Sequence, residues 1–112
     1  MGGKELPGLY ARIGALLERS RVEASDRALW SEVEDVLSEG YAQVLTLESR
    51  RLRFHRRAEE LAAGPAHGDD DASEMRSLLE RAAGTGEELR RLRALLTSLR
   101  YHAGRGERTA SA

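Results

Sequence analysis

Apolar residues recur along this chain at three- and four-residue steps, in three separate stretches. In the first, Leu6, Leu9, Tyr10, Ile13, Leu16 and Leu17 mark one face of a helix over about residues 7–22. Pro7 suits its first turn, where a missing N–H leaves no bond unmade. Gly8 and Gly14 each cost it roughly 1 kcal/mol against alanine. This helix therefore needs tertiary support.

The second stretch predicts a long helix over 26–63, capped by Ser25 or Asp26 and stopped by Gly64-Pro65. Its seam reads Leu29, Val33, Val36, Gly40, Val44, Leu47, Arg51, Phe54, Ala58, Leu61, close to a heptad rhythm. Trp30, Leu37, Tyr41, Leu45 and Leu52 widen the apolar face, with Trp30 and Tyr41 expected in the core. The third stretch predicts a helix over 72–103, with Met75, Leu78, Leu79, Ala82, Gly86, Leu89, Leu92, Leu96, Leu99 and Ala103 in register. Thr85 and Glu88 have the spacing of a capping box, so a kink is expected at 84–86. Residues 64–71 read as a solvated loop, with Asp71 and Glu74 capping the third helix. Residues 104–112 read as a mobile tail. One helical domain is expected over residues 1–103.

Composition bears on how thick a core can be. Leu, Ile, Val and Phe together number 23 of the 112 residues, about the fraction below which highly charged chains tend toward disorder. Because they concentrate on three stripes, the low fraction indicates narrow seams between elongated helices. There is no cysteine, which excludes disulfides, cysteine-ligated zinc and thiol catalysis. No run of about 18 apolar residues occurs, so no membrane helix is expected. The N-terminus lacks the apolar stretch of a signal peptide, and the expected setting is the cytoplasm. Arginine outnumbers lysine 17 to 1, a bias that suits a high-GC bacterial genome.

The net charge of −1 conceals alternating blocks. Residues 1–49 carry net −4, 50–61 net +3, 62–74 net −4 and 75–112 net +4. Folding the second and third helices into an antiparallel hairpin puts facing residues at numbers summing to roughly 136. Glu32, Glu34, Asp35 and Glu39 then lie at the height of residues 93–100, and Arg50, Arg56 and Arg57 at that of Glu80, Glu87 and Glu88. Complementary flanking charges of this kind select orientation and register. The expected fold is all-α: an antiparallel hairpin of two long helices with a shorter N-terminal helix. Its base is a three-helix bundle that includes Tyr10, Ile13, Leu17, Trp30, Leu37, Leu96 and Leu99. Its far part is a protruding coiled-coil-like arm.

Catalytic signatures are sparse. The chain contains no phosphate-binding loop, no His-Glu-x-x-His and no Gly-x-Ser-x-Gly. His55 with Glu59 and Glu48 shares a helix face, as metal ligands would, but an ordinary i,i+4 surface pair accounts for it better. His67 beside Asp69–Asp71 lacks calcium-loop spacing. Neither enzymatic activity, cofactor nor metal is expected. The expected function is that of a helical interaction, scaffold or regulatory protein acting through its arm, as a homodimer or with a helical protein partner. Leu45, Leu47, Leu52, Phe54, Leu78 and Leu79 are its candidate contact residues. The alternative is a small regulator that grips DNA or RNA through the cluster of Arg50, Arg53, Arg56 and Arg57, with Phe54 available for stacking.

Overall fold

The computed structural model describes residues 2–22, 27–64 and 68–111, with side chains described for 6–21, 27–64 and 68–104. Three helices follow in order: α1 (Gly2–Val22), α2 (Arg27–Ala63) and α3 (Asp69–Ser111), with no strand among the described residues. The fold is all-α, two long helices packed with a shorter N-terminal one. The expected caps Ser25 and Asp26 lie outside the described residues.

Three ends differ from the pattern-based bounds. Helix α1 begins at Gly2, so Pro7 lies inside the helix, where it is exposed. Its φ is already helical, so it forfeits one backbone bond without turning the chain away. Helix α3 begins at Asp69, because the Gly68 carbonyl accepts the Ala72 N–H at 3.3 Å. Asp69, Asp70 and Asp71 thus occupy the first helical turn rather than the loop, at the end where the helix dipole favours negative charge. At the other end α3 runs on past Ala103 to Ser111. At the close of α2, the Gly64 N–H donates to the Glu60 carbonyl at 3.2 Å.

The chain divides into two compact units. Unit 1 comprises residues 1–43 and 92–112 and contains all of α1 with segments of α2 and α3. Its buried residues are Leu6, Leu9, Ile13 and Leu16 from α1, Leu29, Trp30, Val33 and Val36 from α2, and Leu92, Leu96 and Leu99 from α3. Ser20 is also buried, its hydroxyl donating to the Leu17 carbonyl at 2.8 Å. Tyr41 departs from its expected core role. It is 41% exposed, and its hydroxyl accepts a hydrogen bond from Arg100 Nη1 at 3.3 Å. The phenol sits on the flank of the helix with its hydroxyl at the surface.

Gly40 marks a close approach of α2 and α3 within unit 1. A Cβ there would overlap the side chain of Leu96, which is 1% exposed and has little room to move. Gly40→Leu is expected to destabilise the protein by about 1–3 kcal/mol through overpacking. Gly84 is exposed, with open space where a Cβ would go. Gly84→Ala is expected to stabilise by about 0.5–1 kcal/mol. Thermal melts of the two variants check the contrast, and equal shifts would contradict the close approach.

Unit 2 comprises residues 44–91, a hairpin of α2 and α3 segments. Its seam buries Val44, Leu47, Ala58 and Leu61 against Leu78, Ala82 and Leu89. Ala58, Leu61 and Leu78 form one cluster, with Phe54 and Met75 packed on it. The seam also contains a polar layer. Gly86 stands where its Cβ would come within 3.3 Å of the Arg51 guanidinium carbon, so glycine makes room for the arginine head. The neighbouring Thr85 is buried, and its hydroxyl donates to the Arg81 carbonyl at 3.0 Å. That bond replaces the expected capping box, and the helix is unbroken through 84–86. Contacts in both units run antiparallel and in the expected register. Gly40 meets Leu96 and Gly86 meets Arg51, with numbers summing to 136 and 137.

Candidate functional site

The expected contact residues separate into two groups. Leu47 and Leu78 are 2% and 8% exposed, so their apolar surface is already spent within the hairpin seam. Phe54 is half-buried on the Ala58–Leu61–Leu78 cluster. Leu45, Leu52 and Leu79 are instead 66%, 49% and 47% exposed. They are three of the five large apolar side chains exposed among the described residues, and all three belong to unit 2.

One ion pair fixes which side of the hairpin these leucines occupy. Arg57 Nε donates to Glu74 Oε1 at 3.3 Å across the two helices. Each of these residues immediately precedes a seam residue, Ala58 on α2 and Met75 on α3. Residues that immediately follow seam positions lie on the other side, because successive residues on a helix step around its axis in one sense. Leu45 and Leu52 follow Val44 and Arg51, and Leu79 follows Leu78. The three exposed leucines therefore share the face opposite the Arg57–Glu74 pair. Beside Leu79 the surface of α3 continues as a shallow apolar depression lined by Ala72, Met75, Leu79 and Ala83, with Arg76 and Glu80 at its rim.

The arginine cluster is not gathered into one groove. Arg50, Arg53, Arg56 and Arg57 instead share about one third of the α2 circumference, a convex helix side. Arg57 is held by both Glu74 and Glu60, at 3.3 and 3.5 Å. Elsewhere on α3, Arg90 pairs with Glu87 at 2.9 Å. Carboxylates thus already neutralise part of the charge that a phosphate backbone would need.

In unit 1 two members of the acidic block on α2 pair with arginines on α1. Arg12 pairs with Glu39, and Arg19 with Glu32 at 2.8 Å. Sequence height had placed this block beside α3; the azimuth around the helix, which height does not fix, turns Glu32 and Glu39 toward α1. These pairs flank a small cleft floored by Ala15, Leu16 and Val36. They are about half exposed, so each contributes only about 0.2–1 kcal/mol.

Among the described residues, no group of three or more histidine or acidic side chains is arranged to hold a metal ion. His67 lies outside the described residues. No described helix is long and apolar enough to cross a membrane. The chain matches no protein-family model, no curated protein and no solved structure.

Proposed function

We propose that this protein is a non-enzymatic helical interaction module that works in the cytoplasm and self-associates through the leucine face of unit 2. The observation that carries the reading is the exposure of Leu45, Leu52 and Leu79 on one side of a hairpin whose own seam is already filled. Clustered exposed apolar surface of this kind marks interaction sites. Twofold dimers are the commonest way for a protein to cover it. Three half-exposed leucines on each copy contribute on the order of 6 kcal/mol when buried. Flanking alanine and methionine surface adds to that, against an association cost of similar size. The expected dimer is therefore micromolar and reversible rather than obligate.

A dimer that unfolds to monomers has a melting temperature that rises with protein concentration. Melts recorded by circular dichroism over a hundredfold concentration range are expected to show that rise. A concentration-independent melting temperature would contradict self-association.

A further inference from the structure

We infer that the second copy docks on the leucine face about a twofold axis parallel to the hairpin, so that α2 of each copy packs against α3 of the other in an antiparallel four-helix bundle. This rests on the self-association reading and specifies its geometry.

The argument begins with two columns. On α2, Leu45, Leu52 and Glu59 recur every seven residues, each just after a seam position. On α3, Arg76, Ala83 and Arg90 do the same. Both columns flank the leucine face, one along each edge, and all six residues are exposed. The α2 edge is apolar and acidic. The α3 edge is small and basic.

Two kinds of twofold axis can stack this face on a copy of itself. An axis across the hairpin would lay α2 on α2 and α3 on α3. Within these columns Glu59 would then gain no opposite charge, and Arg76 would face the basic edge of the other copy. An axis along the hairpin lays α2 on α3 of the second copy and keeps every residue at its own height. Residues at equal height have numbers summing to about 136, as the Gly40–Leu96 and Arg51–Gly86 contacts show. Leu52 then meets Ala83, Glu59 meets Arg76, and Leu45 lies on the aliphatic stem of Arg90. A large side chain faces a small one, a carboxylate faces a guanidinium, and a leucine faces a methylene chain. The twofold repeats each contact. Neither Glu59 nor Arg76 forms an ion pair among the described residues, so both charges are available to the second copy. The long-axis arrangement also gives each helix a second antiparallel neighbour at about a right angle to its seam, the layout of a four-helix bundle.

The test exchanges charges across the proposed contact in the full chain, with the dimer dissociation constant read by sedimentation. Glu59→Arg and Arg76→Glu alone are each expected to weaken the dimer about tenfold, because two contacts turn from attractive to repulsive. The double variant is expected to return to within about threefold of the parent. Single reversals without effect, or a double variant weaker than either single one, would overturn the arrangement. The absence of native cysteine supplies a second measurement. Mixing Leu52→Cys protein with Ala83→Cys protein is expected to yield a disulfide-linked dimer under mild oxidation, since the bond needs Cα atoms within about 7 Å. Efficient cross-linking of Leu52→Cys protein alone would show α2 on α2 and overturn the proposal. A parent dimer that fails these tests loses only this geometry. A parent chain that is monomeric at every concentration removes the self-association reading as well.

Discussion

Glutamate at both Leu52 and Leu79 is expected to convert the protein to a monomer without loss of helix. Each leucine is about half exposed, at 49% and 47%, so burying the remainder contributes about 1 kcal/mol per side chain. A twofold dimer brings four of them to the interface. A carboxylate in the same place adds a desolvation cost of several kcal/mol per ion unless it is paired. The combined loss is at least about 4 kcal/mol, close to a thousandfold in dissociation constant. The isolated chain should tolerate both changes, because glutamate is a good helix former and neither position belongs to the seam. Molar mass with far-ultraviolet circular dichroism checks both halves of the expectation. A variant that still dimerises, or a monomer that has unfolded, would contradict the assignment of this face.

The opposite outcome is expected two residues from Leu45. Leu47 is 2% exposed in the hairpin seam. Leu47→Ala removes buried methyl and methylene groups and leaves a cavity, at a cost of about 2–5 kcal/mol. Against a typical domain stability of about 5–15 kcal/mol, this is a large fraction. Leu45→Ala, at a position 66% exposed, is expected to change monomer stability by no more than about 0.5 kcal/mol. Urea titrations at a concentration where the protein is monomeric separate the two. Comparable losses at both positions would mean that the seam is not where the burial pattern puts it.

The contrast between Leu45 and Leu47 also shows what the sequence could and could not convey. Periodicity located the seam of α2 almost residue by residue, because a heptad rhythm marks the buried stripe of a long helix directly. The hairpin register followed from equal rise on two antiparallel helices, and the Gly40–Leu96 contact agrees with it. Periodicity did not separate leucines spent in the seam from leucines left outside it. Leu47 and Leu78 entered the same candidate list as Leu45, Leu52 and Leu79, yet they lie inside the hairpin. The available signal was position relative to the seam. Leu47 continues the 3/4 rhythm, whereas Leu45 and Leu52 stand one residue after it, on the flank.

Charge showed the same limit. Counting by blocks gave the height of the Glu32–Glu39 cluster but not the direction of Glu32 and Glu39, which pair with Arg19 and Arg12 of α1. Helix ends were the least legible feature. The acidic run Asp69–Asp71 fits a solvated loop and a first helical turn equally well by composition. Only the Gly68–Ala72 hydrogen bond decides between them. Gly86 and Arg51 would each count as a defect in an apolar seam, but together they form a single fitted contact.

The most direct test of the central claim is molar mass by static light scattering on the full chain, across concentrations from sub-micromolar to hundreds of micromolar. A reversible rise from 12.4 kDa to twice that mass, abolished by Leu52→Glu with Leu79→Glu, is the expected result. A mass that stays at 12.4 kDa throughout would contradict self-association through the leucine face.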